Sequence, residues 1–461
     1  MSGIAGIVDS RGVAYPLYYA LHALQHRGQE AAGITTFDGT FHYHKGQGEL
    51  SAVFDESVLK DLPGTVGIGQ VLYSEKAVRN HPESIQPLNF EFLGHHLSIS
   101  VDASLLNAEE LRREAEGRGN IFATLSNAEL IAVMIAQEFA AGHDSVLALT
   151  HALLRLKGAY SGAALLDGTL YAFRDPLGVK PLCYGKSGHG WIVVSESVGL
   201  DILSAKLEGD VESGEILEVT AEGVTHHRFA KADHTAHCIF EYVYTARPDS
   251  VIDGILVYDA RRRIGAYLGR TGAKADLVSP VPDSGTAFAA GYAETAHVPY
   301  IEGLLKNRYV GRTFIMPAQS LRENAVRMKL NPVRGHVADK SVVLVDDSIV
   351  RGTTSLRIVD MVKDFGAREV HMEIGSTPII APCYFGVDLP TREELIATGR
   401  SVEEIREKIH ATTLHYISTE DLVKSVGIPA EDLCMACASG DYPLAVPCEK
   451  CSCARRITPV K

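Results

Sequence analysis

No run of apolar residues in this chain is long enough to cross a bilayer: stretches such as 341–345 fall far short of the roughly 20 residues a membrane helix needs. The N-terminus lacks a charged segment followed by an apolar block, so no signal peptide is read there. Positive charge is also in deficit. Against 57 acidic residues stand 44 lysines and arginines, a formal net charge of −13, and long-range repulsion from phosphates argues against nucleic acid or an anionic membrane surface as the main partner. Any phosphate ligand has to be held locally. Eight cysteines in 461 residues do not make the disulfide framework of a small secreted domain. These absences predict a cytoplasmic protein, and a length of about three typical domains predicts at least two substantial ones.

The cysteines that are present are unevenly placed. Cys183, Cys238 and Cys383 are scattered, whereas Cys434, Cys437, Cys448, Cys451 and Cys453 crowd into the last 28 residues, which suggests metal. The spacing Cys434-x2-Cys437-x10-Cys448-x2-Cys451 is that of a zinc ribbon, one reading of the group.

Periodicity divides the chain near the polar segment Lys231 to His234. Before it, short strand candidates alternate with glycine turns: Thr65 to Val71, His96 to Val101, Ser161 to Leu166 and Trp191 to Ser195. Two helical stretches accompany them, about Leu17 to Leu24 and about Asn127 to Ala141, the second with Leu130, Ile131, Met134 and Ile135 on one stripe. Past the boundary the pattern becomes strand, loop, helix, strand. Ala275 to Val281 runs into Pro282-Asp283-Ser284-Gly285-Thr286, and Ser341 to Val345 runs into Asp346-Asp347. A helix follows from about Thr353 to a stop at Gly366, and then Val370, Met372 and Ile374 alternate as a strand. This βαβ unit predicts a parallel sheet.

The segment Val343-Leu344-Val345-Asp346-Asp347-Ser348-Ile349-Val350-Arg351-Gly352-Thr353-Thr354 carries the strongest chemistry. A buried strand delivers two adjacent carboxylates and then a Gly/Thr/Ser loop onto a helix start, where free backbone N–H groups and the positive dipole end suit a phosphate. The carboxylates suit ribose hydroxyls and a hydrated Mg²⁺, and Thr353, Thr354 and the loop amides suit a 5′-phosphate. The alternative is a solvated surface turn, but two acids directly after an apolar strand rarely lack a partner.

This segment resembles the phosphoribosylpyrophosphate signature of type I phosphoribosyltransferases. With Cys238 to Tyr244, Ala246 to Ser250, Pro282 to Thr286, Lys306 to Ile315 and Lys329 to Pro332, the half resembles the glutamine phosphoribosylpyrophosphate amidotransferase family. The resemblance implies pyrophosphate binding at Asp283, Ser284, Gly285 and Thr286, and Mg²⁺ ligation by Ser284, Asp346 and Asp347. Further contacts to phosphoribosylpyrophosphate are expected from Lys306, Arg308, Ser348, Val350, Arg351 and Gly352. A lid over residues 311 to 332 would shield a transition state with oxocarbenium character, and Arg308, Arg312, Arg322 and Lys329 are candidates to neutralise departing pyrophosphate.

The N-terminal half resembles the same family through Gly3 to Val8, His26 to Glu30, Gln86-Pro87, Arg174 to Gly178 and Ser195 to Ser197, which implies an N-terminal-nucleophile amidohydrolase αββα sandwich. Its catalytic positions depart from the family. Ser2 stands for the nucleophilic cysteine, Leu72 for the arginine that holds the glutamine carboxylate, Asp102-Ala103 for the oxyanion pair of asparagine and glycine, and Asn127 for an aspartate on the glutamine α-amine. Ser2 alone would leave hydrolysis open, since an exposed N-terminal serine can use its own amine as base. A lost oxyanion donor costs about 2.7 to 4 kcal/mol, and an anion in its place more. Loss of glutaminase activity is expected.

The family comparison also regroups the cysteines: Cys238, Cys383, Cys434 and Cys437 match the ligands of the [4Fe–4S] cluster of one branch. The expected architecture is a glutamine amidotransferase-like domain at 1–232, a type I phosphoribosyltransferase α/β domain at 233–445, and a Cys-rich tail at 446–461. The resemblance implies an enzyme that displaces pyrophosphate from phosphoribosylpyrophosphate with ammonia or another amine, assembled as a homo-oligomer, dimer or tetramer. The rival is a non-catalytic regulatory or scaffold homologue that binds phosphoribosylpyrophosphate or nucleotides.

Overall fold

A computed structural model describes residues 2–73, 81–307, 329–389 and 391–447. Two antiparallel sheets pack face to face in the N-terminal half. The first has seven strands, in the order Lys206–Asp210, Cys183–Lys186, Gly190–Val194, Gly3–Asp9, Val66–Leu72, Ala31–Phe37 and Phe41–Gln47. The second has six: Val224–Arg228, Glu215–Val219, Thr169–Arg174, Gly158–Leu166, His95–Leu105 and Leu88–Phe92. Ile4, Val8 and Ile68 of one sheet meet Leu165, Leu170 and Leu217 of the other in a closed apolar layer. Such side chains contribute roughly 1.5–3 kcal/mol each when fully buried. Helix Ala14–Ala23 covers the outside of the first sheet through Leu17 and Leu21, and helices Asn127–Ala140 and Ser145–Leu154 cover the second through Ile131, Met134, Leu149 and Leu153. The result is the expected αββα sandwich.

The expected strands and both expected helices form, each within a few residues of its boundaries. Two further ten-residue helices in this half, Ala108–Gly117 and Ser145–Leu154, and three of four or five residues, Leu50–Val53, Glu56–Lys60 and Val198–Asp201, correct the reading of two helical stretches. The first buries only Leu111 and Ala115, too narrow a stripe to register. The second, Ser-Val-Leu-Ala-Leu-Thr-His-Ala-Leu-Leu, is apolar around most of its circumference and shows no contrast between faces.

In the C-terminal half, Leu277–Pro280, Ser341–Asp346, Glu369–Ile374 and Thr413–Tyr416 form a parallel sheet in that order. Val343 and Val345 face helices Val257–Thr271 and Thr286–Ala296, whereas Val342 and Leu344 face helix Thr353–Asp364. The alternation of Val370, Met372 and Ile374 does not separate core from solvent, because a parallel sheet is covered on both faces. His371 and Glu373 between them are also buried, and they bond to Ser341 and Thr413, and to His415 and the Ala273 N–H, respectively.

The halves are locked by buried charge. Arg27 lies between Glu196 of its own half and Glu241 of the other, with Nη2 2.5 Å from Glu241 Oε2. Glu196 also accepts from His26 at 2.6 Å, from the Arg247 N–H at 2.9 Å and from Ser250 Oγ at 2.5 Å. A second lock pairs buried Arg174 with Asp253 at 2.7 Å. No helix among the described residues is long and apolar enough to cross a membrane.

Candidate active site

The strand Ser341–Asp346 ends on the carboxylate pair. Asp346 and Asp347 are both buried; Oδ1 of Asp346 accepts the Asp347 N–H at 2.9 Å, and Oδ1 of Asp347 accepts from Ser348 Oγ at 2.6 Å. Burial, and then the charge of Asp347, push the Asp346 carboxyl well above the usual range. A proton on Asp346 or a neighbouring cation would relieve two carboxylates so placed, and a hard-oxygen donor set suits Mg²⁺. Gly352, in the left-handed region at φ 77°, turns the loop into helix Thr353–Asp364, whose first turn has no side-chain cap. A Cβ at Gly352 would lie 2.2 Å from Ile396 Cδ1, so the loop packs tightly against the 391–397 segment. Exposed Thr353 and Thr354 and the free amides of that turn form an anion cradle.

The second loop, Asp283 to Thr286, leads from the neighbouring strand into helix Thr286–Ala296, and its Pro282–Asp283 peptide bond is cis. A Cβ on Gly285 would fall 2.2 Å from the Val345 carbonyl oxygen, so both loops leave adjacent strand ends in close contact. Lys306 reaches back to pair with Asp283. Lys329 directly precedes Leu330, the strand partner of Lys306, and its carbonyl accepts the Asn307 N–H at 2.7 Å. Arg308, Arg312, Arg322 and most of the expected lid lie outside the described residues. Val350 anchors its loop by accepting the Ile396 N–H at 2.9 Å, and Arg351 pairs with Glu394 at 2.8 Å on the surface.

Sequence reasoning missed Arg261. Its guanidinium is buried beneath this site, donates to the Tyr242 and Ala246 carbonyls at 2.8 and 2.7 Å, and is lowered to about 10 by burial, with Asp347 pulling the other way. On a helix with three consecutive arginines, nothing in the sequence distinguishes the inward one except the 3.6-residue phase it shares with Val257, Ile264 and Leu268.

The sandwich brings the other expected residues together at the ends of its central strands, Gly3–Asp9 and Val66–Leu72 of the first sheet and His95–Leu105 of the second. Ser2 is buried, and its Oγ accepts the Tyr73 N–H at 3.4 Å. The Ser2 N–H donates to Asp102, which is itself buried and paired at 2.9 Å with Lys180. Burial alone would raise the Asp102 carboxyl, but Lys180 overrides it and holds it down at about 2. Asn127 Nδ2 donates to the carbonyl of Ala103 at 2.9 Å, and Leu72 ends the strand beside Ser2. Lys180 is the second residue that sequence reasoning missed. It lies two positions after Gly178 and carries no sign of burial, yet its Nζ would be 2.4 Å from a Cβ on Gly386, so it sits against the segment that holds Cys383. Tyr73 Oη donates to Asp388 of the same segment at 2.6 Å.

That segment contributes to the third site. Cys238 and Cys434 stand opposite each other in a short parallel ladder, and with Cys383 and Cys437 they line one cavity walled by Val179, Phe240, Phe385 and Tyr442. None of the four is in a disulfide. Burial and the neighbouring sulfurs push the Cys238 thiol well up, and burial carries Cys434 to about 11. Among the described residues, no three of these sulfurs lie within 4.8 Å of one another. Sulfurs around a single tetrahedral zinc, with Zn–S near 2.3 Å, would be only about 3.8 Å apart. Cys183 is a buried core residue of the first sheet, and Cys448, Cys451 and Cys453 lie outside the described residues.

Two sheet-end loops that meet at a carboxylate pair, attached to a sandwich of this topology, make a molecule of combined α/β and α+β type. Residues 75–201 match a family model described as a glutamine amidotransferase domain. The chain is 45% identical to an amidophosphoribosyltransferase of Archaeoglobus fulgidus over 98% of its own length and 100% of that protein's. It is 44% identical to the one from Bacillus subtilis over 96% and 94%. A solved structure of the B. subtilis glutamine phosphoribosylpyrophosphate amidotransferase, complexed with ADP and GMP, superposes with a TM-score of 0.91 at 43% identity, covering 97% of this chain and 98% of that one. The chain belongs to the amidophosphoribosyltransferase family, whose members are pentosyltransferase enzymes.

Proposed function

We propose that this chain displaces pyrophosphate from phosphoribosylpyrophosphate with ammonia or another amine, in a Mg²⁺-dependent reaction, and that its N-terminal half no longer hydrolyses glutamine. With ammonia the product is 5-phosphoribosylamine, an intermediate of purine synthesis. On this reading residues 1–232 are the degenerate glutaminase domain, 233–445 the transferase and 446–461 a tail.

In the transferase half, the cradle at Gly352, Thr353 and Thr354 takes the 5′-phosphate, and the loop Asp283 to Thr286 takes the pyrophosphate. Ser284, Asp346 and Asp347 would hold Mg²⁺, which when bound supplies charge neutralisation to the leaving pyrophosphate. Asp346 and Asp347 orient the ribose hydroxyls. Lys306, Lys329 and Arg312 receive the charge that develops as the C1–O bond breaks, and the amine nitrogen forms the new bond to C1.

One observation carries the loss of glutaminase. The position where the family resemblance places an oxyanion donor is filled by the Asp102–Lys180 ion pair, whose carboxylate also accepts the N–H of Ser2, the nucleophile position. An oxyanion there would meet a fixed negative charge rather than a donor. Leu72 supplies no clamp for a substrate carboxylate, and Asn127 is occupied with the Ala103 carbonyl.

The lining of one cavity by Cys238, Cys383, Cys434 and Cys437 favours this grouping as the ligands of a [4Fe–4S] cluster. Such a cluster would fasten the 381–389 and 433–437 segments to the start of the transferase half.

Steady-state pyrophosphate release with each nitrogen donor tests the reading. Ammonium supports turnover and glutamine does not; glutamine turnover at comparable efficiency defeats it.

A further inference from the structure

The outer helical layer of the sandwich carries a cluster of ligand groups that shares no residue with the three sites above. Helix Asn127–Ala140 places Glu138 near its C-terminal end, Gly142 at φ 88° turns the chain, and Asp144 caps helix Ser145–Leu154. His143 lies in that turn and His151 on the second helix. Folding back brings both rings onto one carboxylate oxygen: Nδ1 of His143 donates to Glu138 Oε2 at 3.0 Å, and Nδ1 of His151 donates to the same oxygen at 2.9 Å. The two imidazoles are nearly perpendicular, 88° between planes, with centroids 4.6 Å apart. One ligand atom from each of the three residues lies within 4.8 Å of the other two, the one such group among the described residues.

Pairing a single glutamate needs only one histidine. Neutral imidazole is the form that binds metals, and two of them here converge on one carboxylate oxygen. We propose that Glu138, His143 and His151 form a binding site for a divalent transition-metal ion of the zinc class, with two imidazole nitrogens and one carboxylate oxygen as ligands. Ligands held at about 2.0–2.1 Å around a tetrahedral ion lie roughly 3.3 Å from one another. The two N···O contacts need open by only a few tenths of an ångström for the ion to replace the hydrogen bonds. Each ring then carries its proton on Nε2 instead of Nδ1, so no net proton is released. Two imidazoles select zinc, nickel or copper over magnesium or calcium, which separates this site from the all-oxygen set at Asp346 and Asp347. All three side chains are partly exposed, leaving the remaining coordination position to water. The ion clips one helix to the next across the turn.

The test uses anaerobically purified full-length protein equilibrated with Zn²⁺ and dialysed, read by zinc content per chain and zinc K-edge absorption. One zinc with a nitrogen/oxygen shell at about 2.0–2.1 Å is expected, with binding weakened at least about tenfold in His143→Ala and in His151→Ala. In the same samples zinc raises the melting temperature of the parent protein and leaves that of the two variants where it was. Zinc held only by sulfur at about 2.3 Å, or nitrogen/oxygen-bound zinc retained unchanged in both variants, overturns the proposal.

Discussion

Single carboxylates in this protein take opposite protonation behaviour from their neighbours. Asp102 stays ionised because Lys180 is beside it, whereas Asp210 is raised to about 6 by burial and by the charge of Asp253. A raised carboxyl means that the folded state holds a proton the unfolded chain has released. Between about pH 4 and 6 the folded form therefore binds more protons, and stability falls as pH rises through that window. Comparing unfolding free energies at pH 4 and pH 7 should show a decline in the parent protein to which this group contributes at most about 3 kcal/mol, and Asp210→Asn should remove that part. A parallel decline in the variant would assign the effect elsewhere. Asp347→Asn acts on chemistry instead. With one of the two adjacent acids neutral, pyrophosphate release with ammonium should drop by about 10²–10³-fold while the fold persists, measured as kcat alongside circular dichroism.

At the scale of elements, the two-residue ladder His237–Cys238 with Leu433–Cys434 is too short to persist on its hydrogen bonds alone, so what lies in the cysteine cavity decides whether those segments stay fastened. Anaerobic protein should be brown with about four irons per chain, and Cys383→Ser should lose iron and lower the melting temperature together. Colourless protein with one zinc would instead favour the zinc-ribbon reading. The sequence made some elements legible and others not. Apolar strands that end in paired acids or in Gly-rich loops, at 341–347 and 277–286, announced their class and their place in the sheet, because the hydrophobic pattern and the polar loop change over within a few residues. Helix Ser145–Leu154 stayed hidden because its apolar residues surround it. Ser2, Leu72, Asp102 and Asn127 were readable as departures from a family pattern, but Lys180, which makes the Asp102 site an ion pair, was not. Its burial depends on the 381–389 segment, some two hundred residues away.

Across the whole molecule, the two halves behave as one body because their charges are shared. Arg27 is held well above its ordinary range by Glu196 and Glu241 in spite of burial, so it is fully ionised and central to the junction. Arg27→Ala would leave two carboxylates buried without a counter-charge, and removing one partner of a buried pair costs about 3–5 kcal/mol. Chemical unfolding should show a loss of this size in Arg27→Ala. Adding Glu241→Gln to it should recover part of the loss, since one of the stranded charges is then gone. No recovery would mean that Arg27 acts mainly by packing.

The pairing of Cys238 with Cys434 also bears on how the molecule is made. The two residues are about 200 positions apart, and closing a loop of that length costs on the order of 5 kcal/mol of chain entropy before any contact compensates for it. During synthesis the first thiol leaves the ribosome long before its partners, and nothing can join all four until residue 437 has emerged. The cavity is thus completed only after both sheets of the sandwich and the parallel sheet have been made. A message broken before codon 434 yields a product that has both sheets and the carboxylate loop yet cannot close the cysteine site, and it stays open to proteolysis at the segments that site would have fastened.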